Sequence, residues 1–112
     1  MDIERTNIDQ VHVVRFSGAM DMDHYPQLKE TIREIKEQDV RRVILNLSQV
    51  HTLSSSGVGA LVELMRSLEM KQGALVLADL SPVCLDVLSL LRVEEFFTIA
   101  PDEDTALALL EE

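Results

Sequence analysis

Three serines and two glycines stand close together in the stretch HTLSSSGVGALVEL, which runs from His51 to Leu64. A serine hydroxyl can attack a carbonyl carbon, accept a phosphoryl group or cap a helix, and glycines can bring backbone amides close to a phosphate. The apolar residues that follow recur at helical spacing, so these side chains come at the predicted start of a helix. Four interpretations are open: a hydrolase nucleophile, a nucleotide-binding turn, a phosphorylated surface and a simple helix cap.

The spacing argues against hydrolase and metal chemistry. A nucleophile elbow requires Gly-x-Ser-x-Gly, and with Ser55 as the nucleophile Leu53 occupies the first glycine position. None of the histidines lies in the late position that the hydrolase chain order requires; they are His12, His24 and His51. No two histidines or cysteines have metal-ligand spacing, and the one cysteine, Cys84, has apolar neighbours and no disulfide partner within the chain. We therefore predict no catalytic residue and no metal, and a buried thiol at Cys84.

A nucleotide-binding turn is supported only in part. A dinucleotide fingerprint is Gly-x-Gly-x-x-Gly after a strand, with an acidic residue about twenty positions later. Gly57, Gly59 and Asp79 match this pattern, but Val62 occupies the third glycine position. We also expect a loop over 48–56, which is too long for the tight turn that a pyrophosphate needs. A small nucleotide-binding enzyme is therefore the lowest-ranked interpretation.

A helix cap explains one serine and leaves the glycines unexplained. Ser54 or Ser55 can accept hydrogen bonds from the first free amides of the helix. Each glycine within a helix costs up to about 1 kcal/mol relative to alanine. A helix start with so little bulk suggests that the surface of another molecule comes close to it. A phosphate on one of these hydroxyls would add roughly −1.5 to −2 charges at such a contact, and would switch the interface off while the domain stays folded.

Strand and helix patterns alternate on both sides of this turn and predict an α/β fold with a mixed sheet. The first two strands are expected to form a hairpin, because a polar turn separates two segments of strand-like composition. Later strands are continuous apolar runs separated by helices, which predicts parallel strands covered on both faces. We expect one domain over 1–112, with about five strands and about four helices. The predicted strands cover 3–6, 11–18, 41–48, 73–80 and 95–100, and the predicted helices cover 23–38, 55–72, 81–93 and 101–112.

Residues with capping or turn propensity mark the helix ends. Asp23 is expected to cap the first helix, and Pro26 is tolerated in its first turn. Gly73 is expected to take the left-handed conformation at the end of the second helix. Ser81, followed by Pro82, is the expected cap of the third helix.

The composition indicates what kind of partner the chain could bind. Acidic residues outnumber basic ones 20 to 10, which gives a formal net charge of −10. Nucleic-acid phosphates and anionic lipid surfaces would be repelled, so we expect neither as a partner. No apolar run is long enough to span a membrane and no signal-peptide pattern opens the chain, which predicts a soluble cytoplasmic protein without membrane insertion. A protein with a basic or mixed surface is the expected partner.

Three stretches of the chain resemble the STAS family, the domain shared by sulphate transporters and bacterial anti-sigma factor antagonists. They are FSGAMDMDHYPQLKETI, VILNLSQVHTLSSSGVGALVELM and GALVLADLSPVCLDVLSLLRVEEFFTI, which together cover nearly the whole chain. The family pattern Asp-Ser-Ser-Gly-hydrophobic-Gly aligns with residues 54–59. The resemblance implies a STAS-like fold with an N-terminal hairpin, and a regulatory binding protein rather than an enzyme.

By this resemblance, Ser55 is the serine that a partner kinase phosphorylates, with Ser56 and Ser54 as alternative acceptors. In the family this serine kinase is also the anti-sigma factor: the unphosphorylated antagonist binds it and frees the sigma factor, and phosphorylation releases it. A serine phosphatase resets the cycle. The ATP belongs to the kinase, so the resemblance implies no cofactor for this chain, and it specifies no oligomeric state. The implied partner-binding residues are Asp21, His24, Thr52, Ser54, Ser55, Ser56, Gly57, Val58 and Gly59.

Two positions depart from the family pattern. The aspartate before the acceptor is Ser54 here, and the aspartate common at the end of the preceding strand is Asn46. Serine can still cap the helix, but the charge beside the acceptor is lost. This loss motivates a second interpretation, in which the chain is a constitutive STAS subunit of a signalling scaffold or of a lipid or solute transport complex.

Overall fold

The computed structural model describes residues 1–111; Glu112, the end of the predicted last helix, lies outside them. Within this range five strands form one mixed sheet in the order β1-β2-β3-β4-β5, accompanied by four α-helices. The predicted α/β fold class is confirmed. The strands are β1 (Asp2–Ile8), β2 (Val11–Met20), β3 (Arg42–Leu53), β4 (Ala74–Ala78) and β5 (Thr98–Ala100), and the helices are α1 (Tyr25–Glu37), α2 (Ser55–Met70), α3 (Pro82–Leu90) and α4 (Glu103–Leu110).

A two-residue turn joins β1 to β2, which run antiparallel from the Ile8↔Val11 pair onwards. The turn residues Asp9 and Gln10 have φ angles of 51° and 69°. Positive φ at both central positions is the geometry of the type I′ turn, whose twist matches that of a hairpin. The predicted N-terminal hairpin is confirmed.

The remaining neighbouring strands are parallel, because helices carry the chain back across the sheet. The continuous apolar run of β3 is buried from Val43 to Leu45, as a strand with both faces covered requires. Strands β2 to β5 therefore all end at the same side of the sheet, at Met20, Leu53, Ala78 and Ala100. We call this side the carboxyl edge.

Helices cover both faces of the sheet. On one face, strand residues such as Leu45 pack against α1, α2 and α3, with Ile35, Leu61 and Cys84 in the same core cluster. On the other face α4 covers a smaller cluster that includes Ile44. Cys84 is 0% exposed, as predicted, and burial raises the pKa of its thiol.

Polar side chains cap three of the four helices at their first turns. Ser54 caps α2, Ser81 caps α3 as predicted, and Asp102 caps α4 by accepting a hydrogen bond from the Thr105 amide at 2.7 Å. The longest of these helices, α2, has 16 residues. None of the helices in residues 1–111 combines the length and the apolar character that crossing a membrane requires.

The start of the first helix differs from the prediction. The residue before α1 is His24, whose side chain makes no capping hydrogen bond, so the cap predicted at Asp23 is wrong. The capping carboxylate of this region is that of Asp21, which accepts a hydrogen bond from the His24 amide at 3.1 Å. This bond begins a 3₁₀ turn over Met22–His24 that leads into α1. Asp23 lies inside the turn and is exposed.

The end of α2 also differs from the prediction. Gln72, and not Gly73, takes the left-handed conformation, with a φ angle of 62°. Gly73 is needed for a steric reason, since a Cβ atom there would lie 2.0 Å from the Arg41 carbonyl oxygen. The glycine thus permits close approach of two chain segments rather than a backbone turn.

β3 is longer than predicted, and this corrects the loop expected over 48–56. The strand continues to Leu53, so only Ser54 separates it from α2. Its pairing with β4 ends at Asn46, and beyond that point β3 runs beside β2 alone, with two register shifts. Each shift inserts an extra residue, so Leu47, Val50 and Leu53 all reach the core at intervals of three instead of two. The alternation that identifies a strand is lost there.

The last strand is shorter than predicted. β5 covers Thr98–Ala100, and the preceding Glu94–Phe96 forms a 3₁₀ turn. Phe97 is buried between them, whereas Phe96 is 66% exposed. The apolar run therefore belongs only in part to the sheet.

Candidate functional site

The serine and glycine stretch lies at the carboxyl edge, where β3 passes directly into α2. The Ser54 amide donates a hydrogen bond to the Met20 carbonyl oxygen at 2.9 Å, which joins the end of β3 to the end of β2. The turn over Met22–His24 follows β2 at once, so it adjoins the start of α2. The fold thus brings together the two segments that hold the predicted site residues.

The three serine hydroxyls have different surroundings. Ser54 Oγ accepts a hydrogen bond from the Gly57 amide at 3.2 Å, and it lies 2.8 Å from Ser56 Oγ, with which it shares a second hydrogen bond. Ser55 is the first residue of α2 and is exposed. Within residues 1–111 its hydroxyl makes no hydrogen bond. Of the three, Ser55 is therefore the hydroxyl that is free to meet another molecule.

The two glycines of α2 also differ. Gly57 is buried, and a Cβ atom there would lie 3.0 Å from Leu53 Cδ1 and 3.1 Å from the Met20 carbonyl oxygen. Gly59 is exposed, and a Cβ atom there would meet nothing within 4 Å. Val58, also predicted to bind a partner, is 5% exposed and lies in the core. Gly57 and Val58 therefore shape this surface from beneath, and Gly59 lies on it.

The Asp21–His24 segment is held by its own hydrogen bonds. Asp21 Oδ1 lies 2.7 Å from His24 Nδ1 in addition to its bond with the His24 amide. The side-chain hydrogen bond from His24 is the main reason that the pKa of Asp21 lies below its usual value. Both side chains are partly exposed beside the start of α2.

Met22 is a residue of this surface that sequence reasoning missed. It is 76% exposed, although it is large and apolar, and it stands between Asp21 and Asp23. The sequence offers only a weak signal for it, because Met20 and Met22 both precede the predicted helix and only the structure shows that Met20 is buried and Met22 exposed. Thr52, predicted from the resemblance, is exposed nearby and its hydroxyl lies 3.1 Å from His51 Nδ1.

The carboxyl edge is acidic. Asp23 and Asp79 are exposed after β2 and β4. The guanidinium of Arg15 is already engaged: Nε and Nη2 donate to Glu103 at 2.8 Å each, and Nη1 donates to Glu4 at 2.5 Å. These bonds raise the pKa of Arg15 and lower that of Glu103. Among residues 1–111, neither Asp23 nor Asp79 forms an ion pair, so a partner that approaches this edge meets unpaired carboxylates.

Asn46 connects this ion-pair network to β3. Its Nδ2 donates to Glu103 Oε2 at 2.6 Å, and its Oδ1 accepts from the Ser48 amide at 2.9 Å, at the first register shift. The side chain is buried. An aspartate at this position would place a second carboxylate against Glu103 and the two would repel each other. The neutral amide of Asn46 donates a hydrogen bond to Glu103 instead.

The geometry does not form a phosphate-binding turn. The sequence predicted a loop over 48–56 that would be too long for a pyrophosphate. That loop does not exist, because β3 continues to Leu53, so loop length is no argument against a nucleotide. The glycines exclude it instead: Gly57 and Gly59 lie within the first turns of α2, and not in the strand-to-helix connection where a dinucleotide fingerprint places them. In the described part of the chain, no group of three or more metal-ligating side chains is assembled.

Comparison with known proteins identifies the family. The family model described as the STAS domain matches residues 2–106. The anti-sigma-B factor antagonist of Staphylococcus aureus is similar, with 26% identity over 81 residues that cover 72% of this chain and 75% of that protein.

Solved structures share the fold. An anti-sigma factor antagonist from Mycobacterium paratuberculosis superposes with a TM-score of 0.91 at 24% identity, covering 99% of this chain and 94% of that one. The Bacillus cell fate determinant SpoIIAA in its phosphorylated form superposes with a TM-score of 0.76 at 22% identity, covering 98% of this chain and 100% of that one. The antagonists of this family are regulatory binding proteins and not enzymes, which confirms that expectation. Because the family model spans residues 2–106 of a chain that also has the family's fold, the chain belongs to the STAS domain family.

Proposed function

We propose that the chain is an anti-sigma factor antagonist: it binds an anti-sigma factor serine kinase, thereby frees a sigma factor, and is released when Ser55 is phosphorylated. The support is the family, the named antagonist among its relatives and the surface at the carboxyl edge. We call that surface the docking surface; its exposed or partly exposed members are Asp21, Met22, His24, Thr52, Ser54, Ser55, Ser56 and Gly59.

The accessibility of Ser55 is the observation that carries the proposal. Ser54 and Ser56 engage each other's hydroxyls, whereas Ser55 Oγ is exposed and makes no hydrogen bond in the described range. A kinase needs an acceptor hydroxyl that it can reach without first breaking the helix cap. Ser55 meets this requirement better than its neighbours, and Ser56 and Ser54 rank below it.

The position of Ser55 at the first turn of α2 supports the proposed switch. Free amides and the helix dipole tolerate an anion there, so a phosphate need not unfold the domain. The added charge and bulk would nevertheless occupy the space over the first turn, which Gly59 leaves clear. A partner that packs closely on this surface would be displaced.

Intact-mass measurement tests the modification. The proposed partner, an anti-sigma factor serine kinase that hydrolyses ATP, should add one phosphate to the wild type and to Ser56→Ala, and none to Ser55→Ala. Ser54→Ala is the matched control, because it removes the cap, at a loss of about 1 kcal/mol, but keeps the acceptor. An unchanged mass of the wild type with a kinase that hydrolyses ATP would contradict the proposal, as would modification of Ser55→Ala.

Calorimetry tests the switch separately. Ser55→Asp should bind the kinase at least about tenfold more weakly than the wild type, with unchanged thermal stability. Equal affinity of the two proteins would remove the switch while leaving the antagonist function in place.

A second candidate function is favoured by the neutral Ser54 at the position where the family pattern has an acid. In this candidate the chain is a constitutive STAS subunit of a signalling scaffold or of a lipid or solute transport complex. Affinity purification of the tagged chain from its own cells distinguishes the two. Recovery of membrane transport subunits, with no kinase, would support the constitutive subunit over the switch.

A further inference from the structure

Exposed apolar side chains lie close together where α3 ends. Leu90 is 83% exposed, Leu91 is 43% exposed and Phe96 is 66% exposed. A single exposed apolar residue is common on a protein surface, but several in one short segment form a patch that another molecule could cover. The segment joins α3 to β5, which begins at Thr98, and it contains no residue of the docking surface.

Backbone hydrogen bonds hold this segment in one shape. The Arg92 amide donates to the Ser89 carbonyl oxygen, and the Val93 amide donates to the Leu88 carbonyl oxygen, each at 3.0 Å. This pair of bonds is the Schellman motif, which ends a helix. The Phe96 amide then donates to the Val93 carbonyl oxygen, also at 3.0 Å. Because the apolar side chains stand on an ordered turn, little backbone entropy would be lost if they were covered.

Arg92 occupies the position of the Schellman motif that usually holds glycine. Its φ angle is 57°, in the left-handed region that a residue with a Cβ atom adopts at a cost. Among residues 1–111 its guanidinium forms no hydrogen bond or ion pair, and the exposed side chains of Glu94 and Glu95 are also unpaired. The fold therefore gains no polar interaction from an arginine that its backbone disfavours, and strain of this kind is typical of functional positions.

We propose that this segment joins two copies of the chain in a symmetric dimer. We call it the dimer patch; its members are Leu90, Leu91, Arg92, Glu94, Glu95 and Phe96. In a two-fold interface a surface faces itself, so the arginine of each copy meets the glutamates of the other and the ion pairs form twice. A partner must offer an apolar area, a cation and carboxylates together, and a second copy offers all three. The proposal does not depend on the function proposed for the docking surface.

The size of the patch and the net charge limit the strength of this dimer. A standard interface has about 20–30 residues on each side, so the dimer patch predicts weak, reversible association. The net charge of −10 on each copy adds repulsion. Salt screens this repulsion beyond about 8 Å at an ionic strength of about 0.15 M, whereas ion pairs that are covered in the interface are screened less.

Sedimentation velocity of the full chain in about 0.15 M sodium chloride tests the dimer. The weight-average sedimentation coefficient should rise with concentration between about 5 μM and about 500 μM. Phe96→Ser should weaken association at least about tenfold, with unchanged thermal denaturation. Met70→Ser is the matched control, because it removes an apolar side chain that is 87% exposed at the end of α2, outside the patch. A monomeric wild type over this range would overturn the proposal, as would equal losses in the two variants.

Exchange of the charges tests the pairing. Arg92→Glu leaves only carboxylates in the patch, and the double variant Glu94→Arg/Glu95→Arg leaves only guanidinium groups, so each variant alone should be monomeric. Mixed in equal amounts they should associate again, because opposite charges then meet at both halves of the interface. A mixture that stays monomeric would overturn the proposal and leave the patch to a different protein.

Arg92→Gly separates the turn from the interface. Glycine suits the left-handed position, so thermal denaturation should occur at a higher temperature than in the wild type. Association should nevertheless weaken at least about tenfold, because the guanidinium is lost. Association as strong as that of the wild type in this stabilised variant would contradict the role of Arg92 in the dimer.

Discussion

Two glycines in α2 are required for different reasons. At Gly57 a side chain would press on the end of β2, so the fold itself requires glycine there. At Gly59 the space is open, and the helix would be more stable with alanine. A glycine that the fold does not need is most simply explained by the approach of another molecule.

Gly59→Ala should therefore separate stability from binding. We expect the free energy of unfolding in urea to rise by up to about 1 kcal/mol, while affinity for the kinase falls. Gly57→Ala is the matched control, and should lower stability by about 1–3 kcal/mol because Leu53 and Met20 must shift. If Gly59→Ala binds with wild-type affinity, the partner does not pack closely against position 59.

His12 should make the stability depend on pH near neutrality. Burial, and secondarily the charge of Arg5, lower the pKa of His12 in the folded protein. The unfolded chain takes up this proton at about pH 6.5 and the folded chain only at lower pH, so stability should fall as the pH drops below about 6.5. The loss should level off once the pH is below the folded pKa.

His12→Gln checks this with urea denaturation at about pH 7.5 and about pH 5.5. Glutamine can accept from Arg5 and donate to Asn7, but it does not titrate in this range. We expect a smaller loss of stability on acidification than in the wild type. His51→Gln, at an exposed position, should lose as much as the wild type does. An identical loss in His12→Gln would assign the pH dependence to other groups.

At the scale of the elements, α3 takes the place that β4 leaves vacant beside β3. After Asn46 the outer side of β3 has no strand partner. The Ser81 amide donates to the Leu47 carbonyl oxygen at 3.3 Å, and Ser81 Oγ donates to the Val50 carbonyl oxygen at 2.7 Å. The same hydroxyl accepts from the Cys84 amide and caps α3. One buried serine thus joins the end of β3 to a helix.

Ser81→Ala should destabilise the fold by about 1–3 kcal/mol, because it removes a helix cap and leaves a buried carbonyl oxygen without its donor. Thermal and urea denaturation measure the change. Ser89→Ala, at an exposed position of the same helix, should lie within about 0.5 kcal/mol of the wild type. Equal effects of the two substitutions would show that the hydrogen bonds of the Ser81 hydroxyl do not contribute measurably to stability.

Elements with regular periodicity could be predicted from the sequence, and those with interrupted periodicity could not. The hairpin, the buried part of β3 and the caps at Ser54 and Ser81 follow from patterns of neighbouring residues. The second half of β3 was missed because its register is set by β2, through two extra residues that no local pattern reveals. The cap predicted at Asp23 was wrong for a related reason: a 3₁₀ turn capped by Asp21 precedes α1, and no local pattern in the sequence reveals that turn.

The candidate site was predictable to the same degree. Local reasoning placed the serines at a helix start, with Ser54 as one expected cap, and the resemblance selected Ser55. The hydrogen bond between Ser54 and Ser56 and the exposure of Met22 depend on side-chain positions, which only the structure provides. The close contact of Gly57 with Met20 depends on a strand that is distant in sequence.

At the scale of the whole molecule, the two ends of the sheet strands differ in the charged residues that they carry. The docking surface lies at the acidic carboxyl edge, and Arg41 and Arg42 lie at the opposite side, where β3 begins. The helices α1 and α2 start at the first side and end at the second, so each connects the two. A basic partner would be steered toward the docking surface by this arrangement.

Asp23→Asn should slow association with the proposed kinase partner by about two- to threefold at low salt, and the difference should shrink as salt is added. Stopped-flow measurement of the association rate at several ionic strengths checks this. Glu69→Gln removes the same charge near the end of α2, on the far side, and should leave the rate unchanged. If both variants slow association equally, net charge and not its placement governs the encounter.

The buried thiol of Cys84 is a built-in probe of local opening around α3. A thiol reagent can reach this sulfur only when α3 lifts away from the sheet, since the side chain is 0% exposed. No other cysteine competes for the reagent. The labelling half-time of the unmodified protein therefore records how often α3 opens. Comparing the free protein with Ser55→Asp would show whether the helix joined to β3 through Ser81 takes part in the proposed switch.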